Sequence, residues 1–134
     1  MSYTITATST PKKEGSIQLK NTSVPFGISK ESEDILSSPA DIYLSALAAC
    51  TLKNIERFSK MMKFEYEKAT IEVSATHAVK PSRLENINYE VILTSKEDKI
   101  NISLLKRNIE KFGTITYMVA QSCSIAGTIL HRKP

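Results

Sequence analysis

The segment Ser38–Cys50, with the sequence SPADIYLSALAAC, constrains the fold of this chain more than any other. Ser38 is a good N-cap, proline follows at the first helical position, and Asp41 completes a capping-box pattern. The segment therefore predicts a helix that begins here and runs to about Lys63. Apolar side chains surround its first half, so this half must be covered on every side. One small sheet and one further helix cover it poorly, which predicts a homodimer.

Cys50 lies off the core-facing stripe of this predicted helix. At about 100° per residue, Ile55 and Met62 share one face, whereas Lys53 and Arg57 share the other. Cys50 falls about 20° from Arg57 and about 60° from Lys53. The helix surface changes from apolar to charged at this level, so we expect Cys50 at a boundary rather than inside the core.

The surroundings of Cys50 decide whether it is a nucleophile or a packing residue. A thiol reacts as the thiolate, which needs nearby cations or a helix N-terminus, and Cys50 is about three turns from the N-terminus. Lys53 lies within one turn and Arg57 about 10 Å along the axis, but both fit ordinary solvated charges equally well. Asp41 projects from the opposite side of the helix, so within one subunit it is expected to cap the helix instead.

The rest of the chain alternates between strand and helix patterns. The pattern of strand, strand, long helix, strand, strand and helix predicts an α+β fold with helices against largely antiparallel sheet. Periodicity and turn residues place one hairpin over residues 3–19, a second over 67–93, a helix over 102–112 ended by Gly113, and an ambiguous segment over 114–119.

Composition limits the class of protein. A chain of 134 residues with 41% hydrophobic and 24% charged residues predicts one soluble domain over 1–134. The net charge is +4, but the lysines are dispersed among glutamates, which argues against a nucleic-acid partner. The longest apolar run, 42–52, is too short for a membrane span, and residues 1–5 do not resemble a secretory signal. We expect a cytoplasmic protein with no membrane partner.

The second cysteine, Cys123, is far from Cys50 in sequence, which excludes a CxxC redox motif. In a reducing compartment such a pair is a set of structural thiols, part of a metal site or a redox couple. A zinc site that combines both cysteines with His77 and His131 lacks any short paired spacing, so it is disfavoured. The two histidines are expected to be surface or strand residues.

Two segments together resemble a known family. Ser38-Pro39-Ala40-Asp41, followed by a helix that reaches Ala48-Ala49-Cys50-Thr51, resembles the first-cysteine helix of the OsmC/Ohr family of osmotically inducible and organic hydroperoxide resistance proteins. Cys123-Ser124-Ile125-Ala126 is similar to the second-cysteine segment of its YhfA-like branch. Pro81, Arg83 and Leu84 also resemble the central hairpin of that branch.

The resemblance implies a fold and a chemistry. It implies an OsmC-like α+β fold with antiparallel sheets and a long central helix, in an intertwined homodimer with active sites at the interface. It implies a thiol-dependent peroxidase in which Cys50 attacks an organic hydroperoxide and Cys123 resolves the sulfenic acid as a disulfide. A dithiol or lipoyl-type reductant would complete the cycle, with no bound cofactor or metal. The supporting residues suggested are Asp41, Lys53, Arg57 and Arg83.

The chain also departs from the family pattern. Well-studied branches hold the thiolate with an arginine from the N-terminal segment, but this chain has no arginine before Arg57. Lys20 or Lys30 would replace it only as a point charge. The acid after the helix proline is displaced by one position, to Asp41, where it is expected to approach the Cys50 of a partner subunit. The alternative function is a non-catalytic small-molecule-binding or stress-related protein that uses the dimer-interface cavity, with cysteines that only pack.

Overall fold

The computed structural model describes residues 1–134 and contains two three-stranded sheets and three α-helices. This confirms the predicted α+β class. The residues form two compact units, Met1–Tyr43 and Leu44–Pro134. None of the helices combines the length and the hydropathy that crossing a bilayer requires.

The first unit contains an antiparallel meander of β1 (Thr6–Ser9), β2 (Gly15–Gln18) and β3 (Ser23–Phe26). The predicted hairpin is present, but its first strand starts later than the alternation from Tyr3 suggested. Strand β3 was not predicted, because four residues are too few to show a period of two. A short 3₁₀ turn, Lys30–Ser32, follows the meander.

Helix α1 spans Pro39–Met61, so it ends two residues before the predicted end at Lys63. Lys63 has φ of 57°, which an α-helix cannot contain. The amide of Lys63 donates to the carbonyl of Lys60, and that of Phe64 donates to the carbonyl of Ser59, which together close the helix as a Schellman motif. No signal in the sequence marked this end of the helix, because lysine occupies the left-handed position that glycine usually fills.

The second unit contains a sheet in the order β4 (Lys68–Val79), β5 (Ser82–Thr94), β6 (Ile125–Arg132). Strands β4 and β5 form the predicted antiparallel hairpin, whereas β6 was not predicted and pairs parallel to β5. A parallel pair needs a crossover connection. Helices α2 (Ile102–Phe112) and α3 (Thr114–Ala120) lie in that connection. The segment 114–119, which the sequence left ambiguous between strand and helix, is therefore helical.

Helix α1 packs on this sheet through the predicted stripe. Ile55 and Phe58 are buried in one cluster with residues from β5 and α2. A smaller cluster is formed by Leu47, Ile87 and Val119, which come from α1, β5 and α3. This packing holds the α2–α3 junction against α1, where Cys50 is only half-buried. The remaining members of the larger cluster are Phe64, Tyr89, Val91, Leu93, Ile100, Leu105, Ile109 and Ile129.

Candidate thiol site

Two neutral side chains contact the sulfur of Cys50. The side-chain amide nitrogen of Asn54, one turn along α1, lies 3.5 Å from Cys50 Sγ and 2.8 Å from the Cys50 carbonyl oxygen, to which it donates. The hydroxyl of Thr116, in α3, lies 3.9 Å from the same sulfur. Asn54 and Thr116 are both buried, whereas Cys50 is partly accessible. The site therefore joins a partly accessible cysteine to two hydrogen-bond donors.

Gly113 allows the second of these contacts to form. It caps α2 by donating its amide to the Ile109 carbonyl at 2.9 Å, and it also precedes α3. A Cβ at this position would lie 2.8 Å from the Ile109 oxygen, 3.1 Å from Thr116 Oγ1 and 3.3 Å from Cys50 Sγ. The capping role was predicted from the sequence. The close approach to Cys50 was not.

The two cations that the sequence suggested on α1 have different surroundings: Arg57 lies over aromatic rings and Lys53 is exposed. The Arg57 guanidinium lies 5.0 Å from the centroid of the Phe58 ring and 6.0 Å from that of Phe112, the residue that precedes Gly113. Lys111 also approaches the Phe112 ring, at 5.3 Å. Lys53 is exposed. Neither Arg57 nor Lys53 is a hydrogen-bond partner of the Cys50 sulfur, whose two partners are uncharged.

Cys123 belongs to a more apolar environment at the end of α3. Its amide donates to the Val119 carbonyl at 3.2 Å, and its sulfur lies 3.9 Å from the same oxygen. The side chain packs against the cluster of Leu47, Ile87 and Val119. Both cysteines are free thiols and both are partly accessible. Cys50 is therefore in α1 and contacts α3, whereas Cys123 follows α3 and packs against residues of α1 and α3.

The other acid and base suggested by the sequence have local partners. Asp41 accepts hydrogen bonds from the Ser38 amide at 2.9 Å and its hydroxyl at 3.1 Å, while the Asp41 amide donates to Ser38 Oγ. This is the predicted capping box. Arg83 lies at the start of β5, where it donates to the Pro81 carbonyl at 2.8 Å and pairs with Glu85 at 3.1 Å. Its observed contacts are therefore those of a hairpin turn.

The remaining candidates also lie in ordinary surroundings. Lys20 and Lys30 are exposed residues of the first unit. His77 bonds to the Ser82 hydroxyl and His131 to the Ser95 carbonyl, as expected for strand residues. No group of three or more histidine, cysteine, aspartate or glutamate side chains is arranged to hold a metal ion.

A surface cavity of about 720 Å³ lies elsewhere in the second unit, and its lining includes neither cysteine. At its edge the Tyr66 hydroxyl donates to Glu56 at 2.9 Å. Burial, followed by this hydrogen bond, raises the pKa of Tyr66 to about 12. The same hydrogen bond, helped by Lys60, lowers the pKa of Glu56. The lining carries five carboxylates and two lysines, of which Lys60 pairs with Glu56 and Lys96 with Glu67.

Comparison with known proteins places the chain in a family. The model of the OsmC-like protein family matches residues 32–134. The chain belongs to the OsmC-like family. The match runs from the first unit into the second and includes both cysteines. No curated protein matches this OsmC-like chain in sequence.

Solved structures share the OsmC-like fold over almost the whole chain. An OsmC-like protein from Mycoplasma pneumoniae superposes with a TM-score of 0.86 at 17% identity, covering 98% of this chain and 97% of its own. An organic hydroperoxide resistance protein from Elizabethkingia anophelis gives 0.73 at 15% identity, with 98% and 99% covered. The organic hydroperoxide resistance protein OhrB of Bacillus subtilis gives 0.65 at 13% identity, with 95% and 98% covered.

Sequence reasoning missed three residues of the thiol site. Asn54 was detectable in principle, because it follows Cys50 by four positions, the spacing at which helical side chains are neighbours. Thr116 and Gly113 come from a segment more than sixty residues away, and no local pattern connects them to Cys50. Their contribution depends on the packing of the α2–α3 junction against α1.

Proposed function

We propose that this OsmC-like protein is a thiol-dependent peroxidase that reduces organic hydroperoxides in the cytoplasm. The observation that supports the proposal is the convergence of two buried hydrogen-bond donors on the sulfur of an accessible cysteine, Cys50. Hydrogen bonds to sulfur favour the thiolate, which is the nucleophilic form. The names of the Elizabethkingia and Bacillus proteins, which concern hydroperoxide resistance, are consistent with this chemistry.

In the proposed first step, the Cys50 thiolate donates an electron pair to the terminal oxygen of the hydroperoxide. The S–O bond forms, the O–O bond breaks and the alkoxide leaves, taking a proton to become an alcohol. Sulfur is oxidised to a sulfenic acid and the peroxide is reduced. We expect the organic group of the peroxide to contact Phe112, Tyr117 and Met118, which are exposed and lie close in sequence to Gly113 and Thr116.

In the proposed second step, Cys123 attacks the sulfenic sulfur. The S–S bond forms, the S–O bond breaks and the oxygen leaves as water. An external dithiol, such as a lipoyl-type reductant, then reduces the disulfide to two thiols and is itself oxidised to a disulfide. The position of Cys123 at the end of α3, the helix that supplies Thr116 to Cys50, supports this pairing.

A homodimer is part of the proposal. Phe112 at the end of α2 and Tyr117 and Met118 on α3 are about half exposed or more, although they are large apolar side chains. Exposed apolar surface of this kind is typical of a protein–protein interface. Light scattering at micromolar concentration should give twice the chain mass, and a monomer would contradict this part of the proposal.

Peroxide consumption in the presence of a dithiol tests the proposal. The recombinant protein should consume cumene hydroperoxide and tert-butyl hydroperoxide, whereas Cys50→Ser should not exceed the uncatalysed background. One equivalent of peroxide should produce a Cys50–Cys123 disulfide, detectable as a linked peptide by mass spectrometry. Equal rates for the protein and Cys50→Ser would rule out the peroxidase.

A second candidate function is non-catalytic binding of an apolar small molecule at a dimer interface. The observation that favours it is the uncharged surroundings of the Cys50 sulfur, because no guanidinium bonds to it. In that case both cysteines serve only in packing. Two free thiols after peroxide treatment would support binding over catalysis.

A further inference from the structure

The buried polar side chains of this protein fall into two groups. The chain has five such residues. In three of them the side chain donates to a backbone carbonyl and has no contact with a sulfur: Thr51 to Leu47, Ser59 to Glu56, and Ser95 to Glu65. The other two, Asn54 and Thr116, are the residues that contact the sulfur of Cys50.

The contact from Asn54 has a defined direction. A backbone carbonyl can only accept, so the 2.8 Å contact with the Cys50 oxygen requires the amide nitrogen of Asn54 to face Cys50. An amide nitrogen carries two protons. One is used by the carbonyl oxygen, and the second is available to the sulfur 3.5 Å from the same nitrogen.

Thr116 has no comparable backbone contact. Thr116 is nearly completely buried, and the Cys50 sulfur is the hydrogen-bond partner of its hydroxyl. A buried hydroxyl is costly unless a partner compensates for the lost water, and an ionised partner compensates better than a neutral one. Gly113 keeps the space between this hydroxyl and the sulfur free of a side chain.

Charged groups are held in other positions. On α1, the Arg57 guanidinium lies over the Phe58 and Phe112 rings, and Lys53 is exposed. On α2, Lys111 lies over Phe112.

We propose that Asn54 and Thr116 form a neutral donor pair that stabilises the Cys50 thiolate. The inference rests on the proposed function only in taking Cys50 as the nucleophile. Hydrogen bonds to the charged form of a group favour that form, so removing either donor should make the sulfur less reactive. The pair supplies dipoles that are fixed before the substrate arrives.

The test is the pH dependence of Cys50 alkylation by iodoacetamide, measured without peroxide in full-length Cys123→Ser protein, where Cys50 is the remaining thiol. Thr116→Val keeps the shape of the side chain and removes the hydroxyl. Asn54→Leu removes the amide. For each, the midpoint of the pH profile should rise by about one pH unit, and the rate at neutral pH should fall about tenfold.

Three further variants separate hydrogen bonding from general damage. Thr116→Ser restores the hydroxyl and should return the midpoint toward that of the parent. Asn54→Asp places a negative charge beside the sulfur and should raise the midpoint further than Asn54→Leu. Thr51→Val removes a buried hydroxyl next to Cys50 in sequence that bonds to Leu47 instead, so it should leave the midpoint unchanged.

The outcomes are distinct. Unchanged midpoints in Thr116→Val and Asn54→Leu would overturn the donor pair. A shift that Thr51→Val reproduces in full would also overturn it, because the effect would then be structural. If Asn54→Leu does not fold, Thr116→Val and Thr116→Ser decide the outcome. If the variants show these shifts but the protein consumes no hydroperoxide, the donor pair stands and the peroxidase proposal fails.

Discussion

Gly113 approaches Cys50 so closely that a methyl group on its Cα would stand 3.3 Å from the sulfur. The same methyl would lie 2.8 Å from the Ile109 carbonyl oxygen. We therefore expect Gly113→Ala to force the α2–α3 junction away from α1, at a cost of about 1–3 kcal/mol in the free energy of unfolding. Alkylation of Cys50 should also slow, because Thr116 moves with the junction. Urea unfolding and iodoacetamide kinetics measure the two effects.

Gly127→Ala is the matched control for this prediction. Gly127 lies opposite Tyr89 in the sheet, and a Cβ there would overlap the tyrosine ring. This variant should lose stability while leaving Cys50 kinetics unchanged under native conditions. If it slows alkylation as much as Gly113→Ala does, the effect at Gly113 is global rather than local.

Tyr89→Phe should stabilise the protein. The Tyr89 hydroxyl is buried without a hydrogen-bond partner, and such a group costs about 1–3 kcal/mol. Burial, followed by the charge of Glu110, raises the pKa of Tyr89 from 10.0 to about 12. The pKa of Tyr89 is higher in the folded protein than in the unfolded chain. The parent protein should therefore keep its full stability below pH 10 and lose part of it as the pH rises toward 12.

The measurement is urea unfolding at about pH 8 and about pH 11. Tyr89→Phe should be about 1 kcal/mol more stable at the lower pH, and its advantage should grow at the higher pH. Tyr66→Phe is the control, because the Tyr66 hydroxyl donates to Glu56 and its removal frees no unpaired polar group, so the protein should not become more stable. An advantage of Tyr89→Phe that shrinks on going to alkaline pH would contradict the assignment.

Substitutions of Asp41 separate its capping role from a role at the thiol. Asp41→Ala removes the carboxylate that accepts from Ser38 and should cost about 0.5–2 kcal/mol. Asp41→Asn keeps an acceptor and removes the charge, so it should retain most of that stability. If the carboxylate also serves the Cys50 of a partner subunit, Asp41→Asn should lower peroxide consumption while the unfolding curve remains near that of the parent. Equal activity would limit Asp41 to capping.

Arg57→Ala should weaken the packing around Phe112. The guanidinium lies over two rings, and contacts of this kind contribute about 0.5–1 kcal/mol at exposed sites. Lys60→Ala is the control, because its ion pair with Glu56 is exposed and contributes little. Thermal unfolding should show a larger decrease for Arg57→Ala than for Lys60→Ala. Equal decreases would mean that the ring contacts add no stability.

Much of the fold was predictable because it depends on local patterns. The capping box at Ser38 and Asp41 identified the start of α1, and periodicity identified the β4–β5 hairpin and α2. Strand β6 was not identified, because its partner is β5, some forty residues earlier, and no local signal specifies a parallel pairing. The end of α1 was misplaced because a lysine occupies the left-handed position that glycine usually fills.

The sequence by itself determined that Cys50 lies on the edge of a capped apolar helix, away from the stripe that packs on the sheet, because helical periodicity fixes the angles between side chains. Only the tertiary structure determined which residues from other elements contact the Cys50 sulfur. Thr116 and Gly113 reach Cys50 only because α2 and α3 form the crossover between two parallel strands, which folds their junction onto α1. A contact between residues 66 positions apart depends on that packing, and no spacing in the sequence encodes it.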